Sequence, residues 1–186
     1  LARKDTGLQL AGCRAHGRRK FKDALPHAPT QALWIIVQIK HLYRIERKLS
    51  NQNAGPRYRN HLRQVESRPI LARIKKALLK FKANASILPQ STLGRAVDYA
   101  LGQWEGLEVY LTEGRVEIDN NHAENSVRPT AVGKKNWLFI GRGDTGDRSA
   151  IIYSIVESCR RRGIDPHAYL TDILERLPNA TNKEVS

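Results

Sequence analysis

Several features are absent or scarce in this 186-residue chain. It contains no methionine and so no initiator residue, which favours a fragment or a processed product. No apolar run approaches the ~20 residues needed to span a bilayer, and residues 8–11 are too short for the apolar core of a signal peptide. Two cysteines cannot build a disulfide framework. We therefore expect a cytoplasmic protein that makes no use of a membrane.

Positive charge is abundant and unevenly distributed. The net charge is +14, and residues 1–118 hold 22 Lys or Arg against 9 Asp or Glu. Residues 119–186 hold 10 against 9. Such an excess favours a polyanionic partner, of which nucleic acid is the commonest. Ribosomal, membrane-surface and simply basic proteins share this signature, so charge alone leaves the partner open.

The first two thirds of the chain show helical periodicity. Residues 8–13 are a short apolar run typical of a buried strand, and residues 14–25 predict a basic helix ended by Pro26. Apolar residues then recur every three to four positions in three long stretches. We predict helices at 30–49, at 57–83 with a kink at Pro69, and from 92 to about 113.

The character of the sequence changes after residue 113. Residues 115–118 predict a short extended piece, and a helix from 122 to about 127 should end near Pro129. We predict a partly extended segment at 134–140 and a loop at 141–146. A helix should follow at 147–162, with an apolar face made of Ile151, Ile152, Ile155 and Val156. Asp165 and Pro166 should open a last short helix, and residues 179–186 should form a disordered tail.

A pair of carboxylates lies at the turn between these regions. Asp119 and Glu124 flank a predicted helix start, and hard oxygen ligands of this kind suit Mg²⁺. Two-metal phosphodiester chemistry uses such carboxylates to hold its ions. Spacing alone favours a helix cap formed by Asp119 and Asn120, with Glu124 placed favourably for the helix dipole.

A second candidate site mixes basic and aromatic residues. Its basic residues Lys134, Lys135, Arg142 and Arg148 surround Trp137 and Phe139. Such mixtures bind phosphates and stack on unpaired bases. The alternative is a loop whose aromatic side chains cover the core while its lysines stay in water. Both interpretations remain open from sequence alone.

Several ordered blocks together resemble the transposases of the insertion sequence 66 family. They are Ile118-Asp-Asn-Asn-His-Ala-Glu-Asn-Ser-Val-Arg-Pro129, Val132-Gly-Lys-Lys-Asn-Trp-Leu-Phe-Ile-Gly141, Ile152-Tyr-Ser-Ile155 and Gly163-Ile-Asp-Pro-His-Ala-Tyr-Leu170. Gly12-Cys-Arg-Ala-His-Gly-Arg-Arg-Lys-Phe21 resembles a further block of that family, in which a tryptophan stands at the position of Arg14. The likeness extends from about residue 8 to residue 178.

The resemblance implies a mainly α chain that is the C-terminal part of a ribonuclease H-like α/β core of the DDE type, interrupted by a basic helical insertion. On this view residues 1–29 are a remnant of the core, residues 30–113 are the insertion, and residues 114–178 return to the core. Residues 179–186 remain as a tail.

The resemblance also implies roles for particular residues. Glu124 would be the third acidic residue of the catalytic set and a ligand of Mg²⁺ or Mn²⁺, and Asp119 would be the cap. The two catalytic Asp residues of the family lie upstream of the block at 12–21, so we expect this chain to lack them and to hold no complete metal site. We expect DNA contacts from Arg18, Arg19, Lys20, Arg128, Lys134, Lys135, Trp137 and Arg142.

Two functions follow as expectations. In the first, the chain is the C-terminal fragment of a bacterial transposase whose parent cleaves and transfers DNA strands, and it is inactive alone. In the second, it is a non-enzymatic basic helical module that binds DNA or a partner transposase. Partners would be the element ends, the target DNA and further transposase copies, near the bacterial nucleoid.

Overall fold

Helices joined by short turns form all the regular structure of the described residues. A computed structural model describes residues 10–137 and 143–179, and these contain no strand. The mainly α prediction is therefore confirmed. The chain divides into two compact units, Leu1–His122 and Ala123–Ser186.

The first unit begins with two helices that match the periodicity of the sequence. α1 spans Arg14–Ala24 and α2 spans Pro29–Asn51, with Pro29 in the first turn, where its missing N–H costs nothing. Phe21 and Ala24 of α1 are buried in the core. Asn53, at a φ of 47°, occupies the left-handed conformation in the turn after α2, and short-side-chain amides tolerate it.

The next helix is divided just before its proline. α3 spans Pro56–Leu62, a π-helical turn follows at Arg63–Ser67, and α4 spans Arg68–Ala83. A proline lacks an N–H and its ring clashes with the carbonyl four residues back. The wider π turn, in which the Arg68 N–H donates to the Arg63 carbonyl, lets the helix continue through Pro69.

The prediction of one helix from 92 to 113 is wrong in its second half. α5 spans Thr92–Gly102, and Gln103 then leaves the helical conformation at φ −99° and ψ 7°. α6 spans Trp104–Glu108 and continues as a 3₁₀ turn, Val109–Leu111. Gly102, a poor helix former, directly precedes this break.

Two strand-like predictions in this unit are also wrong. Residues 10–13 are irregular, Leu10 is exposed, and the Gly12 N–H donates to the Gly106 carbonyl of α6 at 2.8 Å rather than to a strand. Residues 114–119 form turns and bends. Their backbone has helices, not extended chain, as neighbours.

The core of the first unit is drawn from all of its long helices. α2 and α4 contribute aliphatic side chains every third or fourth residue, and α5 adds a small-residue face that packs closely. The buried apolar residues include Ile35, Ile39, Leu42, Leu49, Leu71, Ile74, Leu78, Leu93, Ala96, Val97, Ala100, Trp104, Tyr110 and Ile118.

Three α-helices are seen in the described residues from Asn121 onward. α7 spans Asn121–Trp137. The prediction that this helix ends near Pro129 is therefore wrong. The prediction of extended chain at 134–140 is wrong for residues 134–137, which are helical. Pro129 removes a single N–H donor, and the residues on both sides keep helical backbone. Residues 138–140 lie outside the described part.

α8 spans Gly143–Arg161 and begins four residues earlier than predicted. Gly163, at a φ of 69°, ends it as expected. α9 spans Pro166–Arg176, with the Asp165 carboxylate accepting from the His167 N–H, and a 3₁₀ turn covers Leu177–Asn179. The predicted disordered tail lies outside the described residues, apart from Asn179.

Apolar side chains of the second unit are unusually exposed. The apolar face predicted for α8 is present, but Ile151 and Ile152 are 61% and 55% exposed. Val132 of α7 and Leu174 of α9 are exposed as well. Across the residues that the structure describes, no helix has the length and apolar character required to cross a bilayer.

Candidate functional site

The carboxylate of Asp119 organises the start of α7. Its Oδ1 accepts from the Asn121 N–H at 3.1 Å, and its Oδ2 accepts from the Asn121 side-chain amide at 2.9 Å. Oδ2 also accepts from the Tyr43 hydroxyl of α2 at 2.7 Å. A side chain that satisfies the first free N–H of a helix in this way serves as a cap. Asn120 directly precedes the helix, and its side chain is exposed.

Tyr43 ties this cap to the body of the first unit. The tyrosine is half-buried, 76 residues from Asp119 in sequence. Burial first, and then the hydrogen bond to Asp119, raise the pKa of Tyr43 well above its ordinary value, with the nearby Arg14 acting in the opposite direction. The phenol is therefore neutral and remains a donor at every physiological pH.

Glu124 lies one turn beyond the cap. It falls in the first turn of α7, and its side chain is exposed. A carboxylate at this end of a helix is favoured by the free N–H groups and the helix dipole.

A buried ion pair that sequence reasoning missed fixes the loop leading to Asp119. Arg63 in the π turn is fully buried and donates through Nε and Nη2 to both oxygens of Glu46, at 2.8 and 2.7 Å. Its Nη1 donates to the carbonyls of Tyr110 and Glu113. The guanidinium therefore joins α2, the π turn and residues 110–113 at one point.

Neighbouring side chains extend this attachment along the loop. Arg59 donates to both oxygens of Glu117 at 2.9 and 3.0 Å, and these hydrogen bonds raise the pKa of Arg59. The Asn60 amide donates to the Thr112 carbonyl and the Gln64 amide to the Leu111 carbonyl. One sequence signal could have found the network: Glu46 is an acidic residue within the apolar face of α2.

A basic groove of about 590 Å³ runs between α2 and α4, on a different part of the first unit. Three cationic side chains line it, Arg44 and Lys48 from α2 and Arg73 from α4. Its apolar lining comes from Ile45, Val65, Pro69 and Ile70, and its remaining members are His41 and Glu66.

Comparison with known proteins assigns the chain to a family. The model of the family described as "Transposase IS66 family" matches residues 1–148. The model described as "IS66 C-terminal element" matches residues 154–185. The chain belongs to the IS66 transposase family. The resemblance found in the sequence blocks is thereby confirmed.

The curated relatives are much longer than this IS66 family member. Uncharacterized protein y4jD of Sinorhizobium fredii is 38% identical over 172 residues, which cover 91% of this chain and 33% of the relative. Uncharacterized proteins y4hP and y4qI of the same organism are 33% and 36% identical, each over 95% of this chain. The chain thus spans about a third of the length of these relatives. No solved structure matches it.

Arg14, where the family block carries a tryptophan, is a buried residue in this family member. Its Nη2 donates to the Leu107 carbonyl at 2.6 Å, and its guanidinium lies 5.5 Å from the centroid of the Tyr110 ring. Burial lowers the pKa of Arg14. A planar cation over an aromatic face thus occupies the position of the family's aromatic residue.

The DNA-contact residues predicted on α1 are partly accessible. Arg19 and Lys20 are exposed, whereas Arg18 is half-buried. The Lys20 ammonium lies 4.7 Å from the centroid of the Tyr99 ring, which fixes it against α5. The structure therefore keeps Arg19 and Lys20 available to an anion.

The DNA-contact residues predicted in the second unit are described only in part. Arg128 lies on α7 with an exposed side chain. Lys134, Lys135 and Trp137 belong to the helical backbone of α7, but their side chains lie outside the described residues, as does all of Arg142. Their proposed contacts with DNA remain predictions.

Proposed function

We propose that this chain supplies the glutamate-bearing segment of a transposase that cleaves and transfers DNA strands with the help of divalent metal ions. One observation carries the proposal: Glu124 is an exposed carboxylate in the first turn of α7, directly after a start fixed by Asp119. Mg²⁺ or Mn²⁺ bound there would stabilise charge on the attacking and leaving oxygens of the phosphodiester.

The hydrogen bonds of Asp119 support its role as a helix cap and not as a metal ligand. Both oxygens of Asp119 already accept hydrogen bonds, one of them from the half-buried Tyr43 hydroxyl. Binding a metal through Asp119 would mean giving up these bonds. Glu124 is exposed and lies on a fixed helix, which suits a ligand that needs a defined position.

The exposed apolar face of α8 supports packing of this helix on a part of the transposase that this chain does not span. Ile151 and Ile152 lie in water in the isolated chain, although such side chains gain about 1.5–3 kcal/mol each on full burial. Under this proposal they pack on the sheet of a ribonuclease H-like core. That sheet would come from the two thirds of the relatives' length that this chain does not span.

The isolated chain should be inactive under this proposal. Glu124 offers one carboxylate, whereas two metal ions require several, and the two Asp residues implied by the family would lie in the part not spanned here. Glu124 would be one ligand of a metal site that it shares with those two Asp residues. The full assembly would act on the ends of its element and on target DNA, as several copies in the bacterial cytoplasm.

A chimera tests the proposal. In the protein y4jD, the segment that aligns with this chain is replaced by residues 1–186, and cleavage of a plasmid carrying the element ends is measured in Mg²⁺ and in Mn²⁺. Unmodified y4jD is the reference, and the isolated chain is the second control. We expect cleavage by y4jD and the chimera and none by the isolated chain.

Each other outcome of this experiment is informative. An inactive y4jD would contradict strand transfer as the reaction of these relatives. An inactive chimera beside an active y4jD would contradict the role assigned to this chain. Cleavage by the isolated chain, blocked by EDTA, would show that no further residues are needed.

A second candidate function, DNA binding by a non-enzymatic helical module, is favoured by the charge of α2 to α4. Residues 29–83 contain 13 Lys or Arg and only two acidic residues, Glu46 and Glu66. Glu46 is buried and already paired with Arg63. This block would bind a polyanion whether or not the second unit takes part in catalysis.

A further inference from the structure

The groove between α2 and α4 has the composition of an anion-binding surface. We propose that it holds the phosphate backbone of duplex DNA without reading its sequence, at a site separate from the segment around Glu124. The inference rests on the second function above, DNA binding by the helical block, and names the place where that binding occurs.

The cations of the groove are free to meet an external anion. Arg44 and Arg73 line it, and neither has an ion pair within the described part of the chain. Lys48 lies 3.5 Å from Glu66, but both side chains are exposed, and such surface pairs contribute little. A phosphate can therefore replace Glu66 as the partner of Lys48 at small cost.

The cations of the groove belong to longer rows of cations on the two helices. Lys40, Arg44 and Lys48 recur every four residues on α2, about 6 Å apart along the helix axis. On α4, Arg73, Lys76 and Lys80 recur at intervals of three and four residues, which places them on one helix face. All six side chains are exposed. Two rows of cations thus follow the two helices beside the groove.

Helix geometry keeps these two rows in place. The ion pair between Glu46 and Arg63 joins α2 to the π turn, and Ile35, Ile39, Leu71 and Leu78 are buried in the core beneath. The phosphate-binding side chains therefore project from a rigid surface, which lowers the ordering cost of binding.

The composition favours DNA over an acidic protein. Cores of protein interfaces are enriched in aromatic residues and depleted of charge. No Phe, Tyr or Trp lines this groove, and four of its nine lining residues carry ionic charge at neutral pH. Contacts to a nucleic acid backbone come from Arg and Lys in this way.

The test is salt-dependent binding of the full 186-residue chain to a fluorescent 20-base-pair duplex of arbitrary sequence, in EDTA. The groove variant is Arg44→Gln with Arg73→Gln. The matched control is Arg57→Gln with Arg95→Gln, two exposed cations outside the groove lining. Both double variants lose the same charge, and circular dichroism compares their helix content with that of the unmodified chain.

We expect the groove variant to bind the duplex at least about tenfold more weakly at 0.1 M salt. The slope of the logarithm of the binding constant against the logarithm of the salt concentration should flatten by about 1.8, because each of the two lost phosphate contacts changes it by about 0.9. The control should stay within about twofold, because neither Arg57 nor Arg95 lines the groove. Polyglutamate should compete poorly with the duplex.

Three results would overturn the inference in distinguishable ways. No binding, or binding that is flat with salt, by the unmodified chain means that the helical block does not bind DNA at all, and the second candidate function fails. Salt-dependent binding with equal losses in both double variants means that binding is diffuse, and only the groove fails. Polyglutamate that competes as well as DNA assigns the groove to an acidic protein instead.

Discussion

Glu46 and Arg63 form a buried ion pair with two hydrogen bonds, 2.7 and 2.8 Å long, between α2 and the π turn. The remaining guanidinium nitrogen donates to the carbonyls of Tyr110 and Glu113. Because Arg63 is fully buried, its charge has no access to water and depends on these partners. The pair therefore determines where the loop before Asp119 attaches to the helical block.

Breaking this pair should destabilise the first unit strongly. In Arg63→Met, Glu46 keeps only the more distant Arg59. The Tyr110 carbonyl loses the Arg63 donor, whereas the Glu113 carbonyl keeps the Val116 N–H. Removing one member of a buried pair costs about 3–5 kcal/mol, and we expect a loss in unfolding free energy near the lower figure. Urea unfolding followed by circular dichroism measures it.

The exposed pair of Arg115 and Glu113 provides the control. Arg115→Met removes the same kind of partner in water, where such pairs contribute about 0–1 kcal/mol. Equal losses in Arg63→Met and Arg115→Met would show that burial of the Glu46–Arg63 pair does not determine stability.

Tyr43→Phe should weaken the cap of α7 and change the response to alkali. The substitution removes a hydrogen bond to a carboxylate, worth about 1.5 kcal/mol. The pKa of Tyr43 is raised in the folded chain, so its contribution is complete below the ordinary tyrosine pKa of about 10 and is lost as the pH rises above it.

The measurement is unfolding free energy against pH for the two proteins. At pH 7 the unmodified chain should be the more stable, and the difference should narrow above about pH 10 as the denatured phenol ionises. A difference that does not vary with pH would mean that the pKa of Tyr43 is not raised in the folded chain.

Gly114→Ala should be costly because the loop approaches α3 closely. A Cβ at Gly114 would meet the Pro56 carbonyl oxygen at 2.0 Å, and that atom is backbone. We expect a loss of at least about 2 kcal/mol in unfolding free energy, the scale of overpacking. Gly17→Ala in α1 meets no atom within 4 Å and should gain about 0.5–1 kcal/mol from helix propensity. Thermal unfolding of both variants checks the contrast, and a stabilising Gly114→Ala would refute the close approach.

The helices that carry their own periodic apolar face could be predicted from the sequence. α2 and α4 repeat aliphatic residues every three to four positions, and Pro29 and Asp165 mark helix starts by their local chemistry. Both effects act within a few residues, so a single sequence contains them. The position of Glu124 in the first turn of α7 was foreseen for the same reason.

The features that depend on distant partners could not be predicted. Residues 10–13 resemble a strand, but the Gly12 N–H has the Gly106 carbonyl as its partner, 94 residues away. Arg63 resembles any surface arginine until the fold places it beside Glu46. Such contacts follow from packing, and no local pattern encodes them.

The cleavage rate of the y4jD chimera with Glu124→Gln tests the central claim most directly. Glu124 is assigned as a metal ligand and Asp119 as a cap, so Glu124→Gln should reduce cleavage at least about a hundredfold. Asp119→Asn should stay within about tenfold, because Asn also caps helices. Glu175→Gln on α9 is the matched control and should cleave normally. Normal cleavage by Glu124→Gln, or an equal loss in Glu175→Gln, would contradict the assignment of Glu124 as a ligand.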